Sequence, residues 1–195
     1  MSLVIAVKKD GVVYMGADTQ TSYGYREKRA HLSLGYLKLL VLPNGIILGR
    51  SGNVHSLQYI WAHPEWFTLP EDGVLTKRHV VNEIIPNIYR CFHDNDLFEK
   101  DGTEAPLSTG DVLLLAHRDK LFLINDRLGV TQIEHYAAIG AGEGFVQYGM
   151  EHMDTQKPVL SEIKRLLQIG AECCPSVSGP FALTSTAGPK IKIER

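Results

Sequence analysis

Gly140-Ala141-Gly142-Glu143-Gly144 is a glycine-rich run leading into a helix-like stretch. Such a run could hold a phosphate on the amides of a helix N-terminus. Glu143 would repel that anion, so a tight strand-to-helix turn is the better reading. The eight histidines are scattered, and His63, His93, His117, His135 and His152 show no metal-ligand spacing. Cys91, Cys173 and Cys174 include no CxxC pair. An odd number with two adjacent is a poor disulfide framework and reads as buried thiols in a reducing compartment. A Gx4GK[ST] phosphate loop, an HExxH helix and a GxSxG elbow are all missing from the sequence. No metal and no cofactor is expected. What is left is a combination spread over the first fifty residues.

Val4-Ile5-Ala6-Val7-Lys8-Lys9-Asp10-Gly11-Val12-Val13, followed by Gly16-Ala17-Asp18-Thr19-Gln20, resembles the start of proteasome β-type subunits and of their bacterial relative HslV. These are N-terminal-nucleophile (Ntn) hydrolases. Gly35-Tyr36-Leu37-Lys38-Leu39-Leu40 resembles the segment with that family's active-site lysine. Ile47-Leu48-Gly49-Arg50-Ser51-Gly52 resembles its oxyanion-hole segment, and Ala138-Ile139-Gly140-Ala141-Gly142 its later G-x-G turn. Each motif is weak alone; in combination they are specific and span most of the chain.

The resemblance puts the nucleophile on Ser2, the aspartate on Asp18, the lysine on Lys38 and the oxyanion-hole glycine on Gly49. The late motif Pro175-Ser176-Val177-Ser178-Gly179 adds Ser178. A serine at a free N-terminus has its own base, because the α-amino group titrates at about 7.7–8.0. A neighbouring ammonium lowers that value further, and Asp18 would keep Lys38 charged and aimed. A glycine amide can approach a tetrahedral oxyanion closely. The implied reaction is amide hydrolysis through an acyl ester on Ser2, once Met1 is removed. Two positions depart from the pattern: Ala141 stands where active subunits place a serine, and Pro175 where they place an aspartate.

The elements that must position these residues are legible in part. Leu3 to Val7 reads as a strand buried on both faces, Lys9-Asp10-Gly11 as a hairpin turn, and Val12 to Ala17 as its return. Tyr36–Leu42, the turn Pro43-Asn44-Gly45 and Ile46–Arg50 form a second hairpin, so four strands come first. A helix follows Asn53, on Val54, Leu57, Ile60 and Trp61; another holds Val80, Val81, Ile84, Ile85 and Ile88, with Pro86 kinking or splitting it. Residues 93–110 read as a polar surface loop. Strands at Val112–Ala116 and Leu121–Ile124, helices at about 143–154 and 160–173, and a hairpin over Phe181–Thr186 and Lys190–Ile193 complete the chain. Hairpins dominate and helices come in pairs. The fold class is therefore α+β: a four-layer αββα sandwich with mainly antiparallel sheets.

With 195 residues the chain fits a single domain, 1–195. A net charge of −2 and a pI of about 6.4 argue against a nucleic-acid surface. No stretch approaches a membrane span, which leaves the cytoplasm as the expected location. The leading expectation is a proteasome-like peptidase acting on peptides or unfolded protein within a self-assembled homo-oligomeric ring, with an ATP-dependent unfoldase as a further partner. A silent scaffold subunit and a small-molecule Ntn amidase are the alternatives. Thr21, Ser22, Leu32 and Arg50 would line the substrate pocket, and Trp61, Trp66 and Phe67 offer a contact surface that core packing explains equally well.

Overall fold

The computed structural model describes residues 2–23, 27–30, 37–95, 97, 111–154 and 156–195. Strand β1 (Val4–Lys9) turns through Asp10 and Gly11, both at positive φ, into β2 (Val12–Asp18). Strands β3 (Gln20–Tyr23) and β4 (Glu27–Ala30) pair as a separate two-stranded hairpin. Then come β5 (Leu39–Val41), β6 (Ile47–Ser51) and helix α1 (Val54–Ala62). A longer helical stretch is built from α2 (Lys77–His79), a π-helical turn (Val80–Ile84) and α3 (Ile85–Asp94). Pro86 falls in the first turn of α3, so the expected split is a π turn rather than a gap. Strands β7 (Val112–His117), β8 (Lys120–Ile124), β9 (Val130–Ile133) and β10 (Tyr136–Ile139) follow. Helices α4 (Glu143–Glu151) and α5 (Val159–Cys173) and the hairpin β11 (Phe181–Ser185)–β12 (Gly188–Glu194) close the chain.

Two five-stranded antiparallel sheets result, in the orders β10-β1-β2-β11-β12 and β5-β6-β7-β8-β9. Three apolar clusters show how they stack. Val4, Ala6, Met15 and Ala17 meet Ile47, Leu114 and Ala116 between the sheets. Leu3 and Ile5, on the opposite face of β1, pack against Val146, Ile163, Leu166 and Leu167 of α4 and α5. Leu48, Leu113, Leu115 and Phe122 pack against Ile60, Val80, Ile84, Ile88 and Phe92 on the other side. The layers are therefore helix, sheet, sheet, helix. β1 reads as an unbroken apolar run because it is buried on both faces. At Gly16 a side chain would collide with Ile163 and Leu183, so α5 lies directly on β2.

Several expectations need correction. Six strands precede α1, not four; QTSY and EKRA are polar and lack the apolar run that marks β1. The strands β9 (VTQI) and β10 (YAAI) are also additional to the expectation; at four residues each they are too short to show a period. Tyr36 lies outside the described residues, and Leu37 and Lys38 precede β5 rather than belonging to it. His93 and Asp94 end α3 instead of opening a loop, while 96 and 98–110 fall outside the described residues. The last turn is Thr186-Ala187, and β12 begins at Gly188. Phe67 is 1% exposed, while Trp61 and Trp66 are half-buried and packed on the same core. Cys91 and Cys174 are buried as expected, but Cys173 is exposed.

Candidate active site

The β1–β2 hairpin carries the end of β2 back beside the start of β1. Val4 pairs with Ala17, and the Asp18 amide donates to Leu3 O at 3.1 Å, extending the ladder one residue. The fully buried Asp18 carboxylate then collects three donors. Its Oδ1 accepts from the Leu3 amide (2.8 Å) and from Lys38 Nζ (2.6 Å), and its Oδ2 from the Gln20 amide (3.1 Å). Lys38 is delivered by the second sheet: Arg50 N–H donates to Lys38 O at 2.9 Å, continuing the β5–β6 ladder beyond Leu39. Lys38 Nζ thus shares an oxygen with the amide that joins Ser2 to Leu3.

Burial dominates the titration of this pair. It lowers Lys38, partly offset by the charge of Asp18 and their hydrogen bond. It likewise raises Asp18, partly offset by Lys38 and by the Leu3 and Gln20 amides. Burial thus works against the charged form of both groups, and their mutual attraction works for it.

Ser2 itself is buried, at 4% exposure. Its carbonyl accepts from the Gly142 amide at 3.3 Å. Gly140 adopts φ +101, and a side chain there would run into Ser2 O and Ser51 Oγ. The turn Gly140–Gly142 between β10 and α4 is thus a backbone cradle for Ser2, as the strand-to-helix reading expected. Ala141, in its middle, is exposed. A cavity of about 400 Å³ lined by Val112, Leu123, Ile139, Glu143, Gln147 and Met150 flanks this turn.

Ser178 arrives through its backbone. Its carbonyl accepts from the Thr19 amide at 3.3 Å, while Thr19 Oγ1 donates to Pro180 O at 2.7 Å and Gln20 Nε2 to Pro175 O at 3.2 Å. The 175–180 segment is laced onto the residues that follow Asp18. Pro175 is exposed and offers only its carbonyl.

Gly49 is the assignment the geometry does not support. It pairs with Leu39 on one side and Leu114 on the other. Because Arg50 N–H points to Lys38, strand alternation turns the Gly49 N–H toward β7, where the ladder consumes it. Its missing side chain serves packing instead: a Cβ would press on Met15 and Val4 between the sheets. The first residue past the ladder is Gly52, at φ +145. Gly52 and Ser51 both lie inside Ile47–Gly52, the segment that resembles the family's oxyanion-hole segment. Arg50 is also reassigned: it is buried and bonded to Asp111 and Ser56 on the helix-facing side, not in a substrate pocket. Leu32 and the side chain of Ser22 lie outside the described residues, and Thr21 is buried.

Among the described residues no three His, Cys, Asp or Glu side chains group as a metal site, and no helix is long and apolar enough to cross a membrane.

This four-layer architecture matches the fold of proteasome-like Ntn hydrolases. No protein-family model matches the sequence, and no curated protein matches it. Solved structures do. The chain is similar to Thiobacillus denitrificans BPH (16% identity, TM-score 0.73, 94% of this chain and 96% of that one) and to the same protein in complex with epoxomicin (17%, 0.72, 94% and 97%). It is also similar to HslV from Trypanosoma brucei (11%, 0.66, 94% and 98%) and to Anbu, an ancestral beta-subunit, from Yersinia bercovieri (12%, 0.69, 98% and 86%).

Proposed function

We propose that this chain is a proteasome-like peptidase whose nucleophile is Ser2, freed by removal of Met1. The observation that carries this reading is the buried Lys38–Asp18 pair bonded to the amide next to Ser2. A lysine held there lowers the pKa of a free α-amino group on Ser2, so that the amine is the base at neutral pH. Ser2 Oγ attacks the scissile carbonyl and its proton passes to the amine. The oxyanion is met by the Gly52 amide, in the role expected of Gly49. Collapse expels the amine half of the substrate with that proton and leaves an ester on Ser2. Water, deprotonated by the same amine, then releases the acid and restores the site.

The substrates are peptides or unfolded protein, cleaved in the cytoplasm inside a homo-oligomeric ring fed by an ATP-dependent unfoldase. The test is turnover of a fluorogenic peptide by protein lacking Met1, beside Ser2→Ala and a form retaining Met1. Activity in the first alone supports the reading; equal activity in all three refutes it. Native mass tests the ring, which a monomer or dimer would replace with the small-molecule amidase reading.

Ala141 and Pro175 favour the scaffold as second reading, because neither supplies the polar side chain that the resemblance calls for. A ring that forms while no form of the protein turns over peptide would establish it.

A further inference from the structure

The most elaborate polar network outside the Ser2 site is buried at the end of β6. Arg50 and Asp111 are each 3% exposed, and Arg50 Nη2 forms an ion pair with Asp111 Oδ1. The same nitrogen donates to Ser56 Oγ at 2.6 Å and to the Asn53 carbonyl. Asp111 Oδ1 accepts from the Asn53 amide at 2.7 Å, and Asp111 Oδ2 is bonded to the Ser56 hydroxyl. These bonds gather around Asn53, the residue after Gly52 where β6 leads into α1: Asp111 holds its amide and Arg50 its carbonyl. Gly52 lies directly on the carboxylate: a side chain at this residue would overlap Asp111 Oδ1, and φ +145 is a conformation that favours glycine.

Arg50 touches the site a second way, since its own amide holds the Lys38 carbonyl. One residue therefore fixes both the lysine arm and the Gly52 arm. We infer that Arg50 and Asp111 are a positioning pair that orients the Gly52 amide toward the oxyanion formed at Ser2. This inference rests on the hydrolase reading above. Neither residue touches substrate. They act by fixing the backbone that follows Gly52 and by packing the Asp111 carboxylate against Gly52 itself, and an error of about 1 Å in the placement of such a group costs about 10²-fold in rate.

The test compares two probes on protein lacking Met1. A peptide β-lactone acylates Ser2 through a tetrahedral intermediate: Oγ bonds the lactone carbonyl, the ring C–O bond breaks, and the serine proton reaches the released alkoxide through the α-amine. A peptide vinyl sulfone alkylates the same oxygen by conjugate addition: Oγ bonds the β-carbon, the C=C π bond breaks, and the serine proton reaches the α-carbon through the α-amine, so no carbonyl oxyanion forms. The expected result for Asp111→Asn, which keeps the size of the side chain, is a fall in lactone rate of about 10²-fold. The vinyl sulfone rate stays within about twofold, because that route makes no use of an oxyanion donor.

Arg50→Met should behave like Asp111→Asn. Arg50→Lys should recover most of the lactone rate, because Nη2 alone makes the bonds described. The Arg50 variants give the same comparison should Asp111→Asn fail to fold. Equal falls with both probes, or no change with either, would overturn the inference while leaving the hydrolase intact. Unmodified protein that reacts with neither probe would overturn the hydrolase reading and this inference with it.

Discussion

Two buried ion pairs lie on either side of the β5–β6 ladder. Lys38–Asp18 sits beside the start of β1, and Arg50–Asp111 beneath the turn into α1. Both are almost fully buried, so both carry a desolvation cost that Coulomb attraction alone does not repay. They differ in what the cation can do. An ammonium whose pKa burial has lowered can influence, and exchange protons with, a neighbouring amine. A guanidinium cannot be deprotonated in a protein and offers fixed geometry instead. The proposed function therefore uses the first pair in the chemistry and the second in the shape of the loop that serves it.

The comparison breaks most visibly at Lys38. Lys38→Met should slow labelling of Ser2 by about 10²–10⁴-fold, the range for loss of acid–base assistance. A labelling rate within tenfold of the unmodified protein would mean that the pair is only structural. Asp111→Ala should strand a buried guanidinium and destabilise the fold by about 3–5 kcal/mol in denaturant titration. A loss below about 1 kcal/mol, the scale of a surface pair, would show that the network is solvated.

The two glycines sharpen the contrast further. Gly49→Ala should cost about 1–3 kcal/mol through overpacking against Met15 and Val4, with labelling per folded molecule unchanged. Gly52→Ala should lower labelling per folded molecule as well as stability, because its side chain would overlap Asp111 Oδ1 at a φ that favours glycine. If Gly49→Ala were the variant that abolished labelling in folded protein, the original oxyanion assignment would be restored.

Smallest is the effect expected at a third pair, Glu162–Arg165 on α5. Arg165 bonds hold Glu162 below its ordinary carboxylate value. A depressed carboxylate contributes stability that is present above its unfolded pKa and lost as pH falls through the folded one. Thermal melts from about pH 5 down to about pH 3 should show a steeper loss for the unmodified protein than for Glu162→Gln. Parallel curves would remove Glu162 from the account.

How much of this was legible in the sequence follows from what each segment encodes. β1 and β2 announced themselves because a doubly buried strand must be apolar along its length and an Asp-Gly turn has few other uses. α5 was legible through one apolar face. β3, β4, β9 and β10 were not, because short polar or weakly alternating strands derive their state from neighbours distant in sequence. In the site, Asp18 and Lys38 were named through family resemblance, and the structure brings them into contact. The choice between Gly49 and Gly52 is not legible locally, because two glycines share one motif and only the β6–β7 register tells which amide is spent in the ladder. Arg50–Asp111 had no local signal: its partners are 61 residues apart, and Arg50 had been read as a pocket residue.

The central claim is that Ser2 becomes a nucleophile beside Lys38. Intact mass followed by peptide mapping, before and after a peptide epoxyketone such as epoxomicin, tests it most directly. The account predicts loss of Met1 and one covalent adduct per chain, mapped to Ser2 and absent in Ser2→Ala. A free N-terminal serine that never reacts, or an adduct mapped to another residue, would contradict it.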